Sequence, residues 1–297
     1  MLIWLLRIAL VLIVVAAAIL GHLARMLFGF EAGFAVLLLS LVGLQLAVPL
    51  FALARSAPGF PAQAAHVTPA RRWLASAAEI FAFWRAYVVM MPFEKYWMGE
   101  EKRLPFAPVD IPILLIPGYC CNRALWFDLA RTLRAAGRKV TPVTLEPPFA
   151  DIDQLSIQLE QHVARMRGQT GAERVLLVGH SMGGLVARAL LSRNGGEGVA
   201  GLITLGTPHR GSLLARLAFG RNGRQMEPNS DWLTALNAKP CPVPVHAFWA
   251  GRDEFVSPPE SARLPGVAET CVPLAGHFSL LRQRPAVAAI LKASDPF

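Results

Sequence analysis

Hydrophobic residues are distributed differently in the first part of the chain and in the rest. Residues 1–20 carry a single charge, Arg7, and Ala32–Ala54 carry none. Each stretch has about the length that an α-helix needs to cross a bilayer. The pattern therefore predicts two transmembrane helices over residues 1–55, with Gly21–Glu31 as the loop of a helical hairpin.

Two other interpretations of these apolar stretches remain open. The first stretch has a short basic start, an apolar centre and the small residues Ala16–Ala18, a combination also found in cleavable signal peptides. The second stretch could be a buried helix of a soluble fold, although it carries no charge. If only the first stretch were removed, the second would still hold the protein in the membrane.

Residues 56–110 predict a linker followed by a helix. Ser56–Pro69 is rich in proline and alanine, and Thr68-Pro69 is a typical helix start. Bulky apolar residues then recur at helical spacing as far as Met91, with basic residues between them. This helix is expected either to lie on a membrane surface or to pack on the rest of the protein. Glu94–Arg103 is expected to be a loop.

From Ile111 onwards, short apolar runs alternate with amphipathic stretches. Such alternation is typical of a mostly parallel sheet with helices on both faces, so residues 111–297 are expected to form one α/β domain. Ser212–Pro240 has little strand signal and is expected to be either a cap over the site or an ordinary surface segment. The predicted strands are 113–116, 140–145, 174–178, 199–205, 243–249 and 270–274, and the predicted helices are 124–136, 151–167, 185–191 and 285–292.

The sequence VLLVGHSMGG at Val175–Gly184 contains the pattern G-x-S-x-G between an apolar run and a helical run. By itself this pattern is often only a glycine-rich turn. Between a strand and a helix it predicts a nucleophile elbow, a sharp turn that exposes the hydroxyl of Ser181 at the end of the sheet. Ser181 is therefore the candidate nucleophile.

A serine nucleophile needs a base, and the base needs an acid that holds it in one tautomer. With an elbow of this kind the chain order is serine, acid, histidine. Asp253 and His277 each follow a predicted strand in that order, and they are the candidate acid and base. Glu254 is the second choice for the acid, and Asp231 is a weaker one.

The oxyanion of an acyl intermediate needs two N–H donors. The expected donors are the backbone N–H groups of Met182, directly after the nucleophile, and of Tyr119, in the loop after the first strand, where Gly118 permits a close approach. Cys120 and Cys121 in the same loop are interpreted as packing residues, since no base or helix start adjoins them. No residues are assigned to substrate binding.

Composition changes the picture in one respect. Hydrophobic residues make up 54% of the chain and charged residues 16%, and the net charge is +9. A basic protein suits nucleic acid or an anionic membrane surface. Because no nucleic-acid-binding motif or lysine/arginine block is present, the membrane is favoured as partner and nucleic acid is not. The four cysteines show neither a disulfide framework nor a metal-ligand spacing, so no metal and no cofactor are expected.

The region from Ile111 to Lys292 resembles the α/β-hydrolase superfamily, and within it the bacterial lipases and esterases. The motifs that carry the resemblance are IPGY at 116–119, GHSMGG at 179–184, LGTPHRGS at 205–212, GRDEFV at 251–256 and AGH at 275–277. The resemblance implies the α/β-hydrolase fold and a serine esterase. It also implies that His209 lies near the site without being the base.

The residues and the resemblance together predict a membrane-anchored serine hydrolase that cleaves carboxylic esters of lipids through an acyl-enzyme. An acyltransferase or a thioesterase could use the same residues, and a non-catalytic membrane scaffold is a further alternative. Arg7, Arg55 and the arginines after the second span outnumber Arg25 between the spans. This bias predicts a bacterial inner-membrane protein with its catalytic domain on the cytoplasmic side.

Overall fold

The computed structural model describes residues 1–56, 68–100 and 111–295. Most of the predicted linker and the last part of the predicted loop after Glu94 lie outside the described residues. The helices are α1 (Leu2–Phe28), α2 (Phe30–Ser56), α3 (Pro69–Trp84), α4 (Glu94–Met98), α5 (Phe127–Ala135), α6 (Ile152–Thr170), α7 (Met182–Asn194), α8 (Gly220–Gln225), α9 (Asp231–Asn237) and α10 (Arg284–Ala293). The strands are β1 (Ile113–Ile116), β2 (Val140–Pro142), β3 (Val175–His180), β4 (Val199–Leu205), β5 (Val245–Ala250) and β6 (Ala268–Val272).

The described strands form one parallel sheet in the order β2-β1-β3-β4-β5-β6. The central strands β1 and β3 are buried along their whole length, as their uninterrupted apolar runs predict. One apolar core lies between the sheet and α6 and α7, and a second lies between the sheet and α5 and α10. The predicted α/β fold, with helices on both faces of a parallel sheet, is confirmed.

The strand order reverses between β1 and β3. The chain adds β2 on one side of β1, and then returns to place β3 and the later strands on the other side. In open parallel sheets such a reversal leaves a crevice at the carboxyl ends of the strands, where ligands bind. The loop that contains Gly118 and the turn that contains Ser181 follow these two strands, so they meet at this crevice.

The first two helices form a continuous hairpin, and the predicted loop over Gly21–Glu31 is wrong. Both helices extend through that region, and a single residue, Gly29, separates them with φ +91°. The few polar residues there do not interrupt the backbone hydrogen bonds, and glycine adopts this left-handed conformation without strain. Many large apolar side chains of the hairpin are exposed, for example Val11, Leu12 and Leu39.

Three of the described helical stretches are long and apolar enough to cross a membrane: Leu2–Phe28, Phe30–Ala47 and Pro69–Met98. The third is a broken helix, since α3 continues as a π-helical turn over Arg85–Met90 and a 3-10 turn over Met91–Phe93 before α4. It packs on the α/β domain, in agreement with one of the two interpretations of this segment. Its side chains share a core with Cys121, Ala124 and Phe278.

The hairpin is attached to this third segment at two points. Arg7 Nε donates to the carbonyl of Pro92 at 2.8 Å, so this arginine is used inside the protein. Trp84 Nε1 donates to Gln45 Oε1 at 2.7 Å. The start of α1 and the second half of α2 therefore lie on the same side as the α/β domain.

We expect Gly33→Ala to loosen the hairpin. A Cβ at Gly33 would lie 2.5 Å from Arg25 Cβ and 2.8 Å from the carbonyl oxygen of Gly21, so the two helices would have to separate. Overpacking of this kind costs about 1–3 kcal/mol. Thermal unfolding of the detergent-solubilised protein measures the effect. Gly43→Ala is the matched control, because nothing lies within 4 Å of a Cβ at Gly43 of α2; equal melting temperatures for the two variants would refute the close crossing.

Candidate active site

Ser181 lies in the turn between β3 and α7 with φ +53° and ψ −128°. A non-glycine residue rarely adopts such a conformation, and it is held here by close packing. A Cβ at Gly179 would meet the backbone of Gly184 at 2.5 Å, so the turn needs glycine on the strand side. The geometry is that of the predicted elbow, with the Ser181 side chain at the N-terminus of α7.

Asp253 and His277 face each other at the carboxyl ends of β5 and β6. His277 Nδ1 lies 2.9 Å from Asp253 Oδ2, and both side chains are buried. The other carboxylate oxygen, Oδ1, accepts hydrogen bonds from the backbone N–H of Phe255 and Val256 at 3.0 and 2.7 Å. An ionised Asp253 therefore holds the proton of His277 on Nδ1 and leaves the Nε2 lone pair available as a base.

Ser181 and His277 line the same cavity. Within the described part of the chain, Ser181 Oγ makes no hydrogen bond to the His277 ring. In ligand-free active sites such contacts are often long and shorten only when substrate is bound. The two side chains therefore share a site in which the imidazole can reach the Ser181 hydroxyl once a substrate is bound.

Glu254, the second choice for the acid, does not contact the His277 ring. Its Oε2 instead accepts the backbone N–H of His277 at 3.1 Å. Asp231, the weaker candidate, is in the first turn of α9, where Ser230 caps the helix. The geometry thus favours Asp253 as the residue that orients the imidazole.

The predicted oxyanion donors belong to the two segments that meet at Ser181: the loop after β1 and the start of α7. Neither the Tyr119 nor the Met182 N–H is used in a backbone hydrogen bond among the described residues. A Cβ at Gly118 would lie 2.8 Å from Ser181 Cβ, so the loop after β1 passes directly beside the serine. The arrangement leaves both N–H groups available for an oxygen at Ser181.

The Tyr119 side chain has a role that sequence reasoning missed. Its hydroxyl donates to the carbonyl of Phe219 at 3.0 Å and accepts the N–H of the same residue at 2.8 Å. Burial, and the nearby Cys120, raise the pKa of Tyr119, which keeps the hydroxyl protonated. Tyr119 thereby fastens the segment 212–219, the start of the predicted cap, to the loop after β1.

The cavity above Ser181 has a volume of about 520 Å³ and an apolar lining. Besides the loops that carry the site residues, segments from distant parts of the chain line it: the hairpin contributes Phe51, the third helical segment contributes Phe83 and Tyr87, the loop after β2 contributes Phe149, and the predicted cap contributes residues such as Leu217. Leu217 and Phe219 are 64% and 77% exposed, so the apolar surface continues outward from the cavity.

Two further histidines near the elbow are buried and neutral. His180 Nε2 lies 3.1 Å from the carbonyl oxygen of His277, and burial lowers the pKa of His180. His209 lies between Thr204 and Arg188, at 3.0 and 3.3 Å, and burial together with the arginine charge lowers the pKa of His209. Both nitrogens of the His209 ring have a partner, whereas Nδ1 of His180 is buried and has none among the described residues.

The cysteines of the loop after β1 are protonated thiols. Burial raises the pKa of Cys120 to about 11 and that of Cys121 to about 12. A thiol is a weak nucleophile in this state, which agrees with a packing role. Within residues 1–56, 68–100 and 111–295, no group of three or more His, Cys, Asp and Glu side chains is arranged to hold a metal ion.

Comparison with known proteins shows which proteins parts of this chain resemble. The model of the PGAP1-like alpha/beta domain matches residues 152–219. A triacylglycerol lipase of Pseudarthrobacter phenanthrenivorans is 31% identical over 118 residues, which cover 37% of each chain. A triacylglycerol lipase of Burkholderia plantarii is likewise 31% identical over 118 residues, covering 37% of this chain and 33% of the lipase. The chain thus spans about a third of the length of these relatives.

A solved structure extends the match to most of the α/β domain. The mature Bacillus licheniformis lipase BlEst2 superposes with a TM-score of 0.56 and 21% identity, covering 65% of this chain and 96% of the lipase. At this identity the superposition establishes the fold, and the sequence matches show that part of the chain is similar to lipases. The chain is an α/β-hydrolase-fold protein, lipase- and esterase-like in sequence, with N-terminal helices apolar enough to span a membrane.

Proposed function

We propose that the chain is a membrane-anchored serine hydrolase of carboxylic esters. The observation that carries the proposal is the strained elbow of Ser181 beside the buried His277–Asp253 pair, with Ser181 and His277 in one apolar cavity. Comparable geometry is used by hydrolases that form an acyl-enzyme. The relatives of this chain named above are lipases, and this agrees with cleavage of carboxylic esters.

In the proposed reaction, Ser181 Oγ attacks the acyl carbonyl while His277 Nε2 takes the hydroxyl proton. The Met182 and Tyr119 N–H groups hold the negative oxygen of the tetrahedral intermediate, and Asp253 stabilises the charged imidazole. The intermediate collapses, the C–O bond to the alcohol breaks, and His277 returns its proton to the leaving alkoxide. A water molecule, deprotonated by His277, then attacks the acyl carbon; the bond from that carbon to Ser181 Oγ breaks, the acid leaves, and His277 returns the proton to Oγ.

The proposed substrate is a lipid ester that enters from the membrane. The cavity is apolar, one of its walls is Phe51 of the hairpin, and the exposed side chains of Leu213, Leu217 and Phe219 lie on the adjoining segment. An acyl chain can pass from a bilayer into such a cavity without exposing its methylene groups to water. The hydrolase domain lies at the end of the hairpin that carries Arg7, and the arginine bias favours the cytoplasmic side of an inner membrane.

Covalent labelling of the detergent-solubilised full chain with a fluorophosphonate tests the proposed chemistry. We expect stoichiometric labelling, followed by hydrolysis of long-chain acylglycerol or phospholipid esters in mixed micelles in preference to short soluble esters. Acyl transfer to an added alcohol would instead identify an acyltransferase, and preference for thioesters a thioesterase. Absence of labelling would favour the non-catalytic scaffold.

The proposed topology has its own test. A C-terminal reporter that is active only outside the cytoplasm is expected to be silent, and a reporter at Gly29, in the turn of the hairpin, is expected to be active. The reverse pattern would place the catalytic domain on the other side of the membrane. Extraction of the protein by alkaline carbonate without detergent would contradict an integral anchor.

We expect Gly118→Ala to reduce turnover by about 100-fold, a loss comparable to that of one oxyanion donor. The added Cβ would lie 2.8 Å from Ser181 Cβ and 3.2 Å from the carbonyl oxygen of His180, so the loop that carries the Tyr119 N–H must move away. Steady-state hydrolysis measures kcat. Gly168→Ala on α6 is the control, since nothing lies within 4 Å of a Cβ there; an equal kcat in both variants would remove this loop from the proposed oxyanion hole.

A further inference from the structure

Three successive backbone N–H groups of the His277 loop donate to carboxyl oxygens. The N–H of His277 donates to Glu254 Oε2 at 3.1 Å. The N–H groups of Phe278 and Ser279 donate to Glu79 Oε1 and Oε2 at 2.6 and 2.8 Å. Both oxygens of Glu79 are thus used to hold the loop in one conformation.

Glu79 comes from outside the α/β domain. It lies on α3, 199 residues before Phe278 in the chain, and only 3% of it is exposed. Glu254 is 1% exposed. Burial of two carboxyl groups is costly, and glutamate is almost never fully buried without such compensation. Neither group has a role in the proposed acyl transfer, so their burial needs another explanation.

The surroundings of Glu254 disfavour its charged form. Glu254 Oε1 is buried and receives no hydrogen bond in the described part of the chain. Burial, the charge of Glu79 and the charge of Asp253 raise the pKa of Glu254 well above its usual range, and a hydrogen bond with Glu79 adds to the shift. The protonated form of Glu254 is therefore favoured, and its hydroxyl gives the otherwise unpartnered oxygen a proton to donate.

The other charged or titratable groups that face the pair are Asp253, His277 and Arg252. Arg252 interacts with both glutamates through its charge, and it is held on α3 by hydrogen bonds to the carbonyl of Arg72 at 2.9 Å and to Ser76 Oγ at 2.6 Å.

We propose that Glu79 is a positioning residue for His277: it holds the backbone N–H groups of Phe278 and Ser279 and so sets the position of the imidazole, while Glu254 holds the N–H of His277 itself. This inference rests on the proposed function, in which His277 is the base. Because α3 is bonded to the hairpin through Trp84 and Gln45, the geometry of the imidazole is held by the membrane-proximal part of the chain. The α/β domain supplies His277, and α3 positions the loop that carries it.

Glu79→Gln and Glu254→Gln in the full chain separate the two roles. A glutamine at 254 keeps an oxygen for the His277 N–H and an N–H₂ group that donates to Glu79, so it imitates the protonated acid. A glutamine at 79 has only one acceptor oxygen, and its N–H₂ group must face the Phe278 or the Ser279 N–H. In Glu79→Gln we expect kcat and the rate of fluorophosphonate labelling to fall about 30- to 100-fold, with KM nearly unchanged. In Glu254→Gln we expect kcat and the labelling rate to fall by less than about threefold.

The labelling end point distinguishes positioning from misfolding. If Glu79 only stabilises the fold, Glu79→Gln lowers the labelled fraction and leaves the rate of the folded fraction unchanged, which would overturn the proposal. An equal loss in both glutamine variants would also overturn it. Glu160→Gln on the surface of α6, which breaks an exposed ion pair with Arg193, is the control and should label like the wild type.

A second variant covers the case in which Glu79→Gln does not fold. In Gly276→Ala both carboxyl groups remain, but the added Cβ would lie 2.5 Å from Glu79 Cδ and would displace it from the loop. A slow labelling rate with a full end point supports the proposal, and a wild-type rate contradicts it. If the wild type itself is not labelled, the proposed function fails; if the wild type is labelled and neither Glu79→Gln nor Gly276→Ala is slower, only the role of Glu79 fails.

Discussion

Ser181→Ala is expected to abolish both ester hydrolysis and covalent labelling by a fluorophosphonate. The proposed mechanism has a single nucleophile, and its loss leaves only substrate binding and the oxyanion donors to act on water. In serine hydrolases removal of such a nucleophile costs about 10⁴-fold or more in kcat. Because the side chain becomes smaller by one oxygen at a partly exposed position, the fold should be unaffected.

The measurement is paired labelling and hydrolysis of wild type, Ser181→Ala and Ser192→Ala. Ser192 lies on the same helix, α7, but does not line the cavity, and its variant should behave like the wild type. Labelling that survives in Ser181→Ala would show that another side chain is the nucleophile. Hydrolysis that survives without labelling would point to direct attack by water and would contradict the acyl-enzyme.

The central strands of the sheet were predictable because they are buried on both faces. A strand covered by helices has no polar side to maintain, so runs such as Val175–Val178 stand out from the amphipathic helices between them. The boundaries were less accurate: the second strand ends at Pro142 instead of Leu145, and the last begins at Ala268 instead of Thr270. Strand ends are set by pairing with neighbours, which a local pattern does not contain.

In the hairpin and the segment after it, the predicted loops were wrong because polar residues there do not mark helix ends. Polar residues around Arg25 indicated a loop, but two helices that support each other continue through such residues and turn only at Gly29. The predicted loop from Glu94 begins instead as the short helix α4, where Glu94 is buried and pairs with Arg123 at 2.6 Å. A charge marks a loop only when no partner from a distant part of the chain neutralises it.

The candidate site was predictable as far as chain order reaches. Ser181, Asp253 and His277 each follow a strand, and parallel strands bring their carboxyl ends to one edge of the sheet. The chain order therefore allowed His277 to be selected from seven histidines, and Asp253 from many carboxylates. The contacts of Tyr119 with Phe219 and of Glu79 with the His277 loop could not be found in this way. The sequence does show that Glu79 is the one acidic residue of the apolar helix α3. This indicates that its carboxylate has a buried partner, but it does not identify the partner.

Asp253→Asn is expected to lower kcat by about 10³- to 10⁴-fold, although it replaces one atom by another of similar size. Asp253 Oδ1 accepts two backbone N–H groups, so the oxygen of an asparagine must remain at that position. Its N–H₂ group then faces His277 Nδ1, which has to become an acceptor. The ring proton moves to Nε2, and the base no longer has a lone pair for the hydroxyl of Ser181.

The pH-independent kcat of Asp253→Asn, compared with Glu254→Gln and Asp231→Asn, decides which acid serves the histidine. Asp231 lies on α9 outside the cavity lining, and its variant should stay within about twofold of the wild type, as expected for a surface substitution. A large loss in Glu254→Gln together with near-normal turnover in Asp253→Asn would make Glu254 the acid. That result would contradict the geometry, because Glu254 reaches the backbone of His277 and Asp253 reaches its ring.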